Sequence, residues 1–165
     1  MKTVKTIFFI LIVFLTSCDP LYHILMVNNY HEPIILASPE LNCISLYPDT
    51  TLQMDVEIER YLSSEIIRSH DTDAFYEYVA PSIEDIFCDN DTMSIYIFNA
   101  DTVEFYSWDT VIKYNMVLQR YDLSRQDFFD RNESWKWYQA WLFFPPTDAM
   151  KHIRMWPPYG TYDEH

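Results

Sequence analysis

Hydrophobic and polar positions divide the chain into a greasy leader and a body of short, mostly alternating segments. In the body, Leu21–Val27 is nearly continuous in apolar residues and Pro33–Ala37 repeats that character, with the polar Asn28-Asn29-Tyr30-His31-Glu32 between them. This predicts two strands joined by a hairpin loop. Ser38–Thr51 carries two prolines and only short apolar pieces, which marks a loop or an irregular edge. From Leu52 to Glu59 the apolar Leu52, Met54, Val56 and Ile58 alternate with Gln53, Asp55, Glu57 and Glu59, the period of a half-buried strand with one acidic face. Further strands are predicted at Glu65–Arg68 and Ala74–Val79, separated by the polar turn Ser69-His70-Asp71-Thr72-Asp73. Ser82, with Asp85 three residues on, caps a short helix ending near Cys88.

Met93–Ala100 is apolar on both faces by its end, so it reads as a central strand covered on two sides. Ser107 precedes a short helix over Trp108–Tyr114, and Met116–Tyr121 returns as a strand. Ser124 with Asp127 repeats the capping device and predicts a second short helix to about Arg131. Trp135–Phe144 follows as a strand on which Trp135, Trp137, Trp141 and Phe143 share a face, and Pro145-Pro146 must end it. Thr147 then caps about one helical turn toward Ile153, ahead of a tail rich in proline and tyrosine. The expected fold class is mainly β with short helices (α+β): one compact domain over residues 21–165, an antiparallel sheet or a β-sandwich.

The leader adds an address. Lys2 and Lys5 precede the nine apolar residues Ile7–Leu15, and Thr16-Ser17 lead into Cys18. A basic start, a short apolar middle and a small-residue cleavage site are the parts of a secretory signal. Nine residues cover only about half of a bilayer core, too little for a spanning helix. Leu15-Thr16-Ser17-Cys18 resembles the lipobox of bacterial lipoproteins, in which the cysteine thiol receives a diacylglyceryl group and becomes the new N-terminus. The implied division is a signal peptide over 1–17, a lipidated tether over 18–20 and the strand-rich domain after it. One acyl chain gives reversible attachment, whereas two or three hold a protein on its membrane. The implied partner is therefore a lipid bilayer reached through acylated Cys18, and the implied location is the bacterial cell envelope. In some bacteria an aspartate after the cysteine, here Asp19, retains a lipoprotein at the inner membrane.

Composition changes the picture in three ways. The formal charge is −14, and removal of Lys2 and Lys5 with the leader would take it to −16. Such a surface repels nucleic acid and anionic lipid. It leaves room for a basic protein partner, as for an immunity or inhibitor protein that neutralises a basic toxin, for cations or for the neutral glycan of a glycan-binding accessory protein, or it simply keeps the domain soluble. Second, Gly160 is the one glycine. That excludes a glycine-rich phosphate loop, a dinucleotide fingerprint, a nucleophile elbow and an EF-hand turn, each of which needs glycine where a side chain would clash. Third, Cys43 and Cys88 are the cysteines besides Cys18, and both lie in apolar settings. They suit a disulfide in an exported chain or two buried thiols, and the absence of a CxxC spacing argues against a cysteine zinc site.

Several separated blocks then resemble a group of small lipoproteins of Bacteroides-type bacteria. They are Val27-Asn28-Asn29, Tyr47-Pro48-Asp49-Thr50, Phe98-Asn99-Ala100-Asp101-Thr102-Val103-Glu104, Tyr106-Ser107-Trp108, Leu118–Ser124, Pro145-Pro146 and Trp156-Pro157-Pro158-Tyr159-Gly160. The resemblance spans about residues 20–160 and implies a lipoprotein with a compact strand-rich domain. It carries no activity across. Arg131–Trp137 departs from the short Leu-Asn-Trp link expected before the last strand, which leaves the register of that strand open.

Candidate chemistry is sparse. Asp89-Asn90-Asp91 and His70-Asp71-Thr72-Asp73 gather oxygen ligands, but Asp and Asn serve turns equally well, and neither segment has the glycine or the bidentate glutamate of a calcium loop. The five histidines show no HExxH spacing. His70 beside Asp71 and Asp73 has no evident nucleophile to serve. No catalytic residue, metal ligand or cofactor is therefore expected. The remaining candidate is aromatic: Trp135, Trp137, Trp141, Trp156 and Tyr159 as a platform for a glycan or protein partner. Each aromatic side chain buries 150–250 Å², about 4–6 kcal/mol, so core packing is the favoured use of the strand tryptophans. The Met155–Tyr159 tail, broken by prolines, is the expected exposed patch.

Overall fold

The computed structural model describes residues 21–38, 62, 66–79, 83–87, 91–132 and 137–161. The described strands form two four-stranded sheets. The first contains β1 (Leu21–Asn28), β3 (Thr72–Val79), β6 (Phe129–Asn132) and β7 (Trp137–Phe144), in the order β3-β1-β7-β6. The second contains β2 (Ile34–Ala37), β4 (Thr92–Asn99), β5 (Gln119–Ser124) and β8 (Arg154–Trp156), in the order β2-β4-β5-β8. Three short helices accompany them among the described residues: α1 (Ile83–Phe87), α2 (Ala100–Phe105) and α3 (Trp108–Lys113). The chain is thus strand-rich α+β, as its patterning predicts.

The main core lies between the sheets. Tyr22, Ile24 and Met26 of β1 alternate inward, as do Ala140, Leu142 and Phe144 of β7. Ile34, Leu36, Met93, Ile95, Ile97, Tyr121 and Leu123 meet them from the second sheet. Tyr121 crosses the gap outright, its hydroxyl donating to the Phe143 carbonyl at 2.7 Å. At one end Tyr22 stacks on Tyr138 with ring centroids 4.9 Å apart, and Phe128 sits edge-on to both Tyr22 and Phe87. The other face of the second sheet is closed by helices. Tyr96 and Phe98 pack with Val111 and Ile112, and Trp108 meets Phe98 edge-on at 5.5 Å. Coverage on both faces accounts for the continuous apolar run of β4, which is buried from Thr92 to Phe98 and central in its sheet.

Several expectations are corrected. β1 and β2 do not form a hairpin, because Asn28–Glu32 carries the chain from one sheet to the other. Asn28 makes that crossing, fully buried at 0% exposure. Its Nδ2 donates to the carbonyls of Glu32, Ile67 and Arg68 at 2.9–3.1 Å, and its Oδ1 accepts from the Tyr30 amide at 2.9 Å. The first sheet is mixed, not wholly antiparallel, since β1 runs parallel to β7 with Leu21 opposite Trp137. Ile67 makes a single bridge to Ile34 instead of a strand. The strand expected over Met116–Tyr121 lies three residues later, as β5.

Ser124 and Asp127 do form a reciprocal capping box, but it opens only a 3-10 turn, Arg125–Asp127. β6 replaces the remainder of the expected helix, pairing with β7. Similarly, Thr147 precedes only a 3-10 turn, Asp148–Met150, where a helical turn through Ile153 is expected, and β8 then adds an edge strand at the start of the proline-rich tail. The strand expected at Leu52–Glu59, the Ser82 cap, Cys18, Cys43 and Cys88 lie outside the described residues.

Candidate functional site

The aromatic residues singled out in the sequence are not gathered into one face. Trp135 lies outside the described residues, and Trp137 is described as the first position of β7. Trp141 and Phe143 of β7 alternate with the buried Leu142 and Phe144, and Phe143 still packs partly against the main core. Trp141 and Phe143 are half-buried. Trp156 belongs to the other sheet, at the outer strand β8, and is 44% exposed. Its pleat partner Met155 turns inward against the core.

Tyr159, 37% exposed, is held near this edge by a surface clip. Its hydroxyl donates to Asp148, whose Oδ1 also receives Lys151 Nζ at 3.1 Å. Lys151 lies over the Tyr159 ring, 5.0 Å from its centroid. The Tyr159 hydrogen bond, followed by Lys151, holds the Asp148 carboxyl below its ordinary range, and Asp148 in turn raises Lys151. Gln119 Nε2 donates to the Pro157 carbonyl at 2.8 Å and fixes the start of the same tail.

Two polar clusters have the residue types of chemistry without its geometry. Asp127 accepts from the Ser124 hydroxyl at 2.8 Å and from the Ser124 amide at 2.6 Å, and it faces His152 Nε2 at 3.3 Å. A nucleophilic triad places the imidazole between hydroxyl and carboxylate; here the carboxylate is in the middle, so His152 has no proton of Ser124 to take. The second cluster is on the helix-covered face of the second sheet. Arg120, at 1% exposure, donates from Nε to Asp122 Oδ1 at 2.6 Å and from Nη2 to Ser94 Oγ at 3.0 Å. The Ser94 hydroxyl donates to the same Asp122 oxygen at 2.7 Å, and the guanidinium lies over Tyr96. Cross-strand register sets this up, with Tyr96 opposite Arg120 and Ser94 opposite Asp122. The cluster is a closed clamp across β4 and β5.

His70 and Asp71 occupy a turn, with His70 at φ 59° and Asp71 Oδ1 accepting the Thr72 amide at 2.8 Å. Among the described residues no three His, Cys, Asp or Glu side chains converge as metal ligands.

The most exposed apolar surface is one the sequence reading missed. Phe105, at the end of α2, is 77% exposed, and Tyr106 and Tyr114, the residues that follow α2 and α3, are 53% and 63% exposed. The two helices are set by local chemistry. The Asn99 side chain accepts the Thr102 amide at 3.0 Å and starts α2 immediately after β4. Tyr106, extended, ends it, and Ser107 begins α3, its hydroxyl paired with that of Thr110 at 2.9 Å. Val111 and Ile112 are buried and Trp108 packs partly against the sheet, which leaves Asp101, Glu104, Asp109 and Lys113 outward with the three rings. Asp101 and Phe105 are four apart and so lie on one side of α2. No family model, curated protein or solved structure matches the chain.

Proposed function

We propose that the chain is a lipid-anchored, non-enzymatic binding module of a bacterial cell envelope, of the kind its sequence blocks resemble. The observation that carries the proposal is the apolar run closing on Leu15-Thr16-Ser17-Cys18. Only Asp19 and Pro20 separate that cysteine from β1. At roughly 3.3–3.6 Å per residue, the first strand begins within about 11 Å of the acylated residue, so the domain is held close against the lipid surface. The binding role is supported by the arrangement of the polar side chains. The Ser124–Asp127–His152 and Arg120–Asp122–Ser94 clusters are internally satisfied, whereas large aromatic rings face outward on α2–α3 and at β8. Labelled palmitate should enter the wild-type chain and not Cys18→Ala; equal labelling of the two would end the anchor reading.

A second reading, a glycan-binding accessory protein, is favoured by Trp156 and Tyr159, exposed beside Asp148 and Lys151. It predicts retardation in polysaccharide-containing gels that Trp156→Ala abolishes. Unchanged mobility of that variant would dismiss it.

A further inference from the structure

We infer that the outer face of α2–α3 is a docking site for a basic protein segment, its Lys or Arg side chains laid over Phe105 and Tyr106. This deepens the binding part of the proposed function and is independent of the lipid anchor. Exposure, charge and ring chemistry support it. Phe105 is the most exposed large apolar side chain among the described residues, at 77%, and its neighbour Tyr106 is open as well. Free energy opposes leaving such rings in water, and surface patches of this kind mark contact sites.

The charged neighbours then select the occupant. Asp101, Glu104 and Asp109 are exposed on α2 and α3, whose residues include Lys113 as their one cation, on a chain of formal charge −14. Carboxylates in that position disfavour an anionic lipid or a nucleic acid, and although they can accept from a sugar's hydroxyls, their charge is matched only by a cation. A lysine or arginine satisfies both halves of the surface, since its methylene stem packs on a ring while its head reaches a carboxylate. The protein already makes this contact internally. Lys113 lies 5.3 Å from the Tyr114 centroid, Arg125 5.6 Å from Phe87 and Arg120 5.4 Å from Tyr96. Phe105 and Tyr106 offer the same acceptor surface outward.

The test uses the full chain in non-ionic detergent and a fluorescent twelve-residue Lys/Ala peptide, with a Glu/Ala peptide as its mirror, followed by anisotropy in moderate salt. Phe105→Ser, which leaves the charge unchanged, should weaken binding of the Lys/Ala peptide about fivefold, the scale of an exposed cation–π contact. Asp101→Asn with Glu104→Gln should weaken it by a similar factor. The pair Asp89→Asn with Asp91→Asn, ahead of the eight-residue β4 that α2 follows, should stay within about twofold, because screening confines exposed charges to about 10 Å. Circular dichroism of each variant should match the wild type. Equal weakening by the near and distant pairs would reduce the effect to diffuse charge and overturn the site. An unaffected Phe105→Ser, or no measurable binding of the Lys/Ala peptide, would also overturn it. So would self-association of the wild type that Phe105→Ser abolishes, which would make a second copy the occupant.

Discussion

Asn28→Ala isolates the joint between the two sheets. The Asn28 amide nitrogen has two protons and faces the carbonyls of Glu32, Ile67 and Arg68, while its oxygen takes the Tyr30 amide. Truncation therefore removes two donor bonds and one acceptor bond, each contributing about 1 kcal/mol net. It also strands the part-buried Tyr30 N–H, at a further cost of about 1 kcal/mol. Ile67 and Arg68 lose less, because their carbonyls also accept the Ile34 and Asp71 amides. The expected loss is about 3–4 kcal/mol of a total of roughly 5–15, read from the urea midpoint at constant slope.

Asn28→Asp sharpens the test. It keeps the acceptor for Tyr30 but turns a carboxylate toward three carbonyl oxygens, so its pKa in the folded state must lie above the unfolded value. Such a group binds more protons folded than unfolded, and its penalty grows as pH rises from about 4 and levels off above the folded pKa. The variant should fall further behind wild type at pH 7 than at pH 4. A loss below about 1 kcal/mol for Asn28→Ala, or a pH-independent deficit for Asn28→Asp, would refute the view that this one side chain ties the sheets together.

The remaining predictions concern other parts of the molecule. Asp122→Ala leaves the Arg120 guanidinium buried without its carboxylate and should cost about 3–5 kcal/mol in chemical denaturation, whereas Arg120→Met with Asp122→Val should cost clearly less. Ser124→Ala removes half of a capping box and should cost about 1 kcal/mol. Leu142→Ala opens the core between the sheets and should cost about 2–5 kcal/mol, while Phe105→Ser should leave the midpoint nearly unchanged. The clip at the C-terminal tail should depend on pH in a defined sense. The Asp148 pKa is depressed by Tyr159 and then Lys151, so its contribution is present above the ordinary carboxylate range and lost as pH falls through the depressed value. Lys151 is raised by Asp148, so its share is lost only as pH climbs through the raised ammonium value. The Asp148 carboxyl resonance followed by NMR should shift only as pH falls to the depressed value, and the Lys151 side-chain resonances only as pH climbs to the raised one.

The strands were legible wherever apolar residues ran on. β1 shows as a nearly continuous apolar run although its burial alternates, and β4 is apolar throughout because sheet and helices cover it on both sides. Capping chemistry at Ser124 was equally readable, yet the box fixes only how a turn starts. Phe128 enters the core directly after it, and that pull into the sandwich converts the next residues to β6. α2 escaped notice because Asn99, its cap, sits at the end of the most apolar strand, and six residues are too few to show helical periodicity. The outward position of Phe105 followed α2 out of view. The tryptophan side of β7 could not be assigned from alternation, since Tyr138, Ala140, Leu142 and Phe144 form an equally apolar set. The smaller residues Ala140 and Leu142 face inward because Ile24 and Met26 stand beside them on the neighbouring strand.

Pairing β1 with β7 has a consequence for how the chain acquires its shape. Leu21 gains its second neighbour only when Trp137 arrives, so the earliest strand waits on one of the latest. Contacts this distant in sequence form slowly, since much chain must be closed into a loop before they stabilise anything. A polypeptide emerging end-first from a ribosome or a narrow translocation channel therefore has half a sheet missing until most of its length is free. On the envelope route proposed above, that delay would keep the polypeptide threadable during passage and postpone closure of the sandwich to the far side.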